Sequence, residues 1–206
     1  MKTAFIISTM IFVTSAQHPA PDDPRPVILA FGDSLTAGYG LPRGSGYPEQ
    51  LQRKLDQRGY RYRVVNMGIS GDTTSGGRAR MKAGLDLKPS IVILELGAND
   101  GLRGLPIKQT RLNLEDMTTA FRDNGATVVL AGMTLPRNYG AAYIRSFEDV
   151  FRELAHKCNL PLIPFFLEGV GGQPKLTLED YLHPNAEGYR IVTDIVLKTI
   201  EPLLKK

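Results

Sequence analysis

The chain has 206 residues, enough for one well-filled core and short for two. Its 42% hydrophobic and 22% charged content is that of an ordinary globular protein and excludes a disordered or fibrous one. The net charge of +4 is dispersed, with no block of like charge and no Trp, which argues against a nucleic-acid surface.

The first residues differ in kind from the rest. Met1-Lys2 precedes an apolar run over 4–13 and then Thr14-Ser15-Ala16, small residues where a signal peptidase cuts. That is the outline of a secretory signal peptide over 1–16, and the run falls short of the ~20 residues a spanning helix needs. The expected location is therefore periplasmic or secreted. Residues 17–26 are proline-rich and read as a loose leader into a single domain over 27–206.

The segment 27–32 (VILAFG) is an apolar run stopped by Gly, suited to a buried parallel strand. Ser34 follows at the end of that strand, where open α/β sheets place their ligand crevice. It is either a nucleophile or the N-cap of the next helix. Leu51 and Leu55 mark a helix over 47–59, and 60–67 reads as a strand with a small-residue loop at 68–73. A weaker helix is expected over 74–87. The most apolar strand, 90–96 (SIVILEL), belongs at the centre of the sheet and ends in a second small-residue loop over 97–101.

Leu112, Leu114, Met117 and Phe121 define the apolar side of a helix over 109–124. A fourth strand follows at 126–131. Ile144, Phe147, Val150, Phe151 and Leu154 face inward from a helix over 142–159. The one cysteine, Cys158, falls in that pattern as buried filler; it excludes an intramolecular disulfide and a Cys-based zinc site. The prolines in 160–166 suit a fifth strand at a sheet edge. Ile191, Ile195 and Ile200 mark a closing helix over 185–204. Strands alternating with helices imply an α/β protein: a flavodoxin-like three-layer α/β/α sandwich around a mainly parallel five-stranded sheet.

The strand-end loops bring Ser34, Gly71 and Asn99 to one edge, and 180–184 (DYLHP) can join them. Of the three histidines, His18 lies in the leader and His156 beside Lys157 on a helix, which leaves His183 as the candidate base. Asp180, three residues earlier, can accept the Nδ1 proton and leave Nε2 facing a serine. Glu179 is a rival for that place. The backbone N–H groups of Ser34 and Gly71 and the Asn99 amide could stabilise an oxyanion. Each piece also has a bland reading: Asp180 and His183 as the turn before the last helix, Gly71 and Asn99 as turn residues. There is no G-x-S-x-G elbow, since Thr36 stands where Gly would be, and no phosphate loop or H-E-x-x-H.

Taken together, Gly32-Asp33-Ser34-Leu35, Gly71, Gly97-Ala98-Asn99-Asp100 and Asp180-x-x-His183 resemble the four blocks of the SGNH (GDSL) hydrolase superfamily. Gly101-Leu102-Arg103-Gly104, 135–140 (LPRNYG) and 161–166 (PLIPFF) resemble its small bacterial periplasmic thioesterase, lysophospholipase and arylesterase branch. Ala98 departs from the pattern, which more often has Gly. The resemblance implies Ser34 as nucleophile, His183 as base, Asp180 as its orienter, and Ser34, Gly71 and Asn99 as the oxyanion hole. It further implies a flap over 101–106 above an acyl groove. Leu102, Leu105 and Leu135 would face the substrate, a small-molecule acyl or aryl ester. No metal or organic cofactor, nucleic-acid partner or stable membrane span is implied, and the chain is expected to be a monomer. A carbohydrate O-acetyl esterase is the nearest alternative, and a non-catalytic ligand-binding module the alternative of another class.

Overall fold

A computed structural model describes residues 23–206. The segment 1–16, expected to be a signal peptide, and residues 17–22 of the expected leader lie outside the described residues. The last four leader residues are anchored, contrary to the loose segment their prolines suggest. The Arg25 guanidinium donates to both Asp23 carboxylate oxygens and to the Tyr62 carbonyl, and Arg63 N–H donates to the Pro26 carbonyl.

In chain order the elements are β1 (Val27–Gly32), α1 (Ser34–Ala37), α2 (Tyr47–Gln57), β2 (Arg63–Gly68), α3 (Thr74–Leu85) and β3 (Ile91–Glu95). There follow α4 (Ala98–Leu102), α5 (Ile107–Asp123), β4 (Thr127–Ala131), a 3-10 turn (Arg137–Tyr139), α6 (Ala141–Cys158), β5 (Leu162–Ile163), α7 (Ala186–Ile200) and a final 3-10 turn (Glu201–Leu203). The five strands pair in parallel in the order β2-β1-β3-β4-β5. The helices α2 and α7 pack together, as do α3, α5 and α6, to cover the sheet. This is the expected single-domain α/β architecture, with β3 in the middle and β5 at one edge.

Apolar burial explains the strands. Every residue of β1 and β3 is buried, as two-sided coverage of a parallel sheet requires. Phe31 meets Phe121 edge to face, with ring centroids 5.5 Å apart, and so ties β1 to α5. The chain reverses its direction of crossover between β1 and β3, and at such a switch point the carboxyl ends of neighbouring strands open a crevice.

Several local expectations need correction. The segment 97–101 is not a loop: α4 begins at Ala98, so the expected flap residues Gly101 and Leu102 are helical. β2 begins at Arg63 rather than Tyr60, and β5 holds only two residues. Leu112 is 42% exposed, because it lies two positions from Leu114 and so on the opposite side of α5 from Leu114, Met117 and Phe121. Cys158 is half-buried at the end of α6 and packs against the rim of the core.

Candidate active site

Gly32 ends β1 with no room for a side chain. A Cβ there would stand 2.0 Å from Thr36 Oγ1 and 2.6 Å from the Glu95 carbonyl oxygen. The chain turns into α1 at that point, and Asp33, not Ser34, is the cap: Asp33 Oδ1 accepts from Leu35 N–H at 3.0 Å. Ser34 is thus the first residue of α1, with its hydroxyl free for other work.

That hydroxyl lies 2.9 Å from His183 Nε2, and His183 Nδ1 lies 2.6 Å from Asp180 Oδ2. Asp180 holds the loop as well as the ring, since its Oδ1 accepts from the backbone N–H groups of Leu182 and His183, both at 2.9 Å. Partial burial pushes the Asp180 carboxyl up, but the hydrogen bonds from the His183 ring and these two N–H groups outweigh it, and it stays below the usual carboxylate range. Glu179 is exposed, and the carboxylate on His183 Nδ1 is that of Asp180. The cap of α7 is Asn185, whose Oδ1 accepts from Glu187 and Gly188 N–H, so Asp180 shapes the loop before the last helix but does not cap the helix. Tyr39, half exposed, lies against the His183 ring with centroids 4.6 Å apart.

Gly71 occupies a left-handed conformation (φ +80°), which suits glycine and turns the 69–73 loop toward Ser34. Arg80 fixes that loop to the strand ends. Its Nε donates to Asp72 Oδ2 at 2.7 Å, and its two Nη atoms donate to the Met67 and Gly32 carbonyls at 2.8 and 2.9 Å. The guanidinium also lies 4.0 Å over the Phe31 ring.

Asn99 enters from α4. Its Nδ2 donates to Asp33 Oδ2 at 3.0 Å, which settles the amide orientation, because the opposite flip would set two acceptors face to face. One Nδ2 proton remains to face the crevice. The backbone N–H groups of Ser34 and Gly71 have no hydrogen-bond partner among the described residues. The next residue, Asp100, is buried and locks α4 to its neighbours: it accepts from Thr74 N–H at 2.9 Å, from the Thr74 hydroxyl and from Thr110 Oγ1 at 3.3 Å. Across the mouth, Arg103 donates to the Gly71 carbonyl at 2.8 Å.

Ser34, Gly71, Asn99, Leu102 and His183 line one cavity of about 150 Å³. A larger, mainly apolar hollow of about 600 Å³ adjoins it and shares Leu102 and Leu182; Leu135, Phe165 and Tyr181 form more of its wall. Of the three leucines expected near substrate, Leu102 lines both hollows and Leu135 the larger one. Leu105 is exposed and lines neither. Tyr39 and Glu95 escaped sequence reasoning, and Asp33 and Arg103 entered it only as members of motif blocks, without a role of their own. Glu95 carries a signal, as a lone acid in the apolar run SIVILEL. Among the described residues no three His, Cys, Asp or Glu side chains cluster as a metal site would need, and no helix is long and apolar enough to cross a membrane.

Comparison with known proteins gives the family. Residues 30–191 match the GDSL-like Lipase/Acylhydrolase family. Esterase TesA of Pseudomonas aeruginosa is 44% identical over 99% of this chain and 100% of its own, and a crystal structure of TesA superposes with a TM-score of 0.84 at 44% identity, covering 86% of this chain and 99% of that one. An arylesterase of Vibrio mimicus is 41% identical over 93% of this chain and 94% of its own. Thioesterase 1/protease 1/lysophospholipase L1 of Escherichia coli is 36% identical over 86% of this chain and 84% of its own. The chain therefore belongs to the GDSL-like lipase/acylhydrolase (SGNH) family and is a serine ester hydrolase of that family.

Proposed function

We propose that the protein hydrolyses esters of apolar acyl or aryl groups through an acyl-enzyme on Ser34. The observation that carries this reading is the unbroken line from Ser34 Oγ through His183 to Asp180, at 2.9 and 2.6 Å, set beside two unpartnered N–H groups. A serine hydroxyl is a poor nucleophile until a base takes its proton. In this reading His183 Nε2 accepts that proton as Oγ attacks the substrate carbonyl carbon, and Asp180 stabilises the imidazolium through Nδ1–H. The oxyanion receives hydrogen bonds from Ser34 N–H, Gly71 N–H and Asn99 Nδ2–H. Collapse expels the alcohol or thiol, which leaves with the His183 proton. Water, deprotonated by His183, then attacks the acyl-enzyme, releases the acid and restores Ser34.

The apolar hollow beside Leu102 supports an acyl or aryl group in preference to a sugar. The names of the relatives, an esterase, an arylesterase and a thioesterase/lysophospholipase, span the same range of leaving groups. The test is hydrolysis of p-nitrophenyl esters from acetate to palmitate by wild type and Ser34→Ala. Turnover by wild type with medium or long chains preferred, and none by a folded Ser34→Ala, is the expected result. Equal activity in both removes Ser34 from the mechanism, and activity on acetate alone removes the apolar groove. The make-up of 1–16 supports export, and a secreted form that begins after Ala16, read by mass spectrometry, is expected.

A further inference from the structure

Glu95 ends the central strand directly behind the Ser34 cavity and is wholly buried. Its Oε2 accepts from Thr36 Oγ1 at 2.8 Å and from Asp33 N–H at 3.3 Å. Its Oε1 has no donor among the described residues. The ionisable groups that act on it are Asp33 and the buried hydroxyls of Tyr47 on α2 and Tyr189 on α7, none of which can become a cation. A carboxylate sealed from water with no counter-charge and one bare oxygen is strongly disfavoured. A carboxylic acid in the same place has one O–H to give, and the acid beside it is Asp33, whose own N–H already meets Oε2.

Asp33 is built to be the anion of the two. It is also buried, but both of its oxygens already accept, Oδ1 from Leu35 N–H and Oδ2 from Asn99 Nδ2, each at 3.0 Å. Burial pushes the Glu95 carboxyl well above the usual carboxylate range, and the Asp33 charge beside it pushes the same way. Two neighbouring acids in one dry pocket hold a single proton between them.

We propose that Glu95 is a positioning residue, a neutral carboxylic acid that donates from Oε1 to the Asp33 carboxylate so that Asp33 fixes the Asn99 amide toward the oxyanion. Were Glu95 ionised, repulsion would drive the two carboxylates apart and carry Asn99 with them. Were it absent, the Asp33 N–H and the Thr36 hydroxyl would lose their acceptor. The kinetic part of this proposal rests on the esterase reading of Ser34 and Asn99; the state of the Glu95 proton does not.

Two substitutions and one spectrum test it. Glu95→Gln keeps the shape, a donor toward Asp33 and an acceptor for Thr36, so it is expected to fold and to hold kcat within about threefold of wild type. Glu95→Met removes every hydrogen bond at similar volume and is expected to lower kcat about tenfold to a hundredfold with KM within about twofold, a part of what loss of an oxyanion donor causes. The infrared difference spectrum, wild type minus Glu95→Gln at neutral pH, is expected to contain a carboxylic-acid C=O band that shifts in D2O. Absence of that band overturns the proposal. So does a Glu95→Gln chain that cannot fold or is as impaired as Glu95→Met, and so does a folded Glu95→Met of full activity. Should Ser34→Ala prove fully active, the esterase reading fails while the infrared band still reports the proton on Glu95.

Discussion

Asn99→Ala separates the hydrogen bond that its amide gives Asp33 from the oxyanion contact proposed for it. One Nδ2 proton goes to Asp33 Oδ2 at 3.0 Å and the other faces the cavity that holds Ser34 Oγ. Loss of the second is loss of one oxyanion donor, expected to reduce kcat by about 10²–10³, or ~2.7–4 kcal/mol of transition-state stabilisation. KM should move little, since the donor meets charge that develops only after attack. Loss of the first leaves a nearly inaccessible Asp33 oxygen without its partner, a destabilisation of about 1–3 kcal/mol. For a chain of this size that corresponds to a Tm lower by roughly 3–10 °C. Steady-state kinetics on p-nitrophenyl butyrate and a thermal melt measure the two effects in the same preparation. A folded Asn99→Ala with kcat within about threefold of wild type would remove Asn99 from the oxyanion site, because a donor worth so little is not aimed at the oxyanion.

Asp180→Asn is expected to leave the loop in place, since an amide oxygen can still accept from Leu182 and His183 N–H. The amide nitrogen would then face His183 Nδ1 and select the tautomer whose Nε2–H points at Ser34, lowering kcat by about 10²–10⁴; retention of more than a tenth of wild-type kcat would refute the assignment. The acid limb of kcat/KM should involve more than one proton: imidazolium has no lone pair for the Ser34 proton, and burial pushes the Asp33 carboxyl that holds Asn99 up to about 6, into the same range, while the hydrogen bonds on Asp180 keep it ionised. A profile flat from about pH 5 to 8 excludes histidine as the base. Gly32→Ala should lower Tm by about 6 °C or more, because its Cβ would overlap Thr36 Oγ1 and the Glu95 backbone, an overpacking of roughly 3 kcal/mol; a Tm unchanged within error would show that β1 and β3 can separate there without cost.

The parts of the fold most legible in the sequence are those where burial alone dictates residue type. Glu95 apart, the strands β1, β3 and β4 are apolar at their buried positions, so their place and order of importance follow from composition. The one-turn helix α4 was hidden because ANDGL has no apolar period. It is held instead by Asp100, a buried acid whose partners, Thr74 and Thr110, lie in other elements. Leu112 shows the opposite failure, an apolar residue counted inward when the turn angle of α5 sends it to solvent. At the site, chemistry and spacing made Ser34, His183, Asp180, Gly71 and Asn99 candidates with a bland alternative each, and only the four blocks taken together, by their resemblance to one family, gave them roles. Leu105 could not be separated from Leu102, because position in a loop does not state which way a side chain faces. Tyr39 gave no signal, since an exposed tyrosine is ordinary in any sequence, and Arg103 stood in a motif block with nothing to say that it reaches the Gly71 carbonyl.

Tyr62 lies just before β2, at the end of the sheet remote from Ser34, and both ends of the described chain meet there. Its carbonyl accepts from Arg25 and its hydroxyl accepts from Lys205 N–H at 3.1 Å. The path of the chain is therefore nearly a closed ring with the reactive groups on the far rim. A short flexible linker could join Lys206 to Asp23, and new termini could be opened at the exposed turn between α5 and β4, around Gly125. Such a rewired chain keeps every strand-end loop intact, which makes the fold a ready insert for a host protein and a carrier that can be tethered through the chain ends beside Tyr62 with its crevice facing outward.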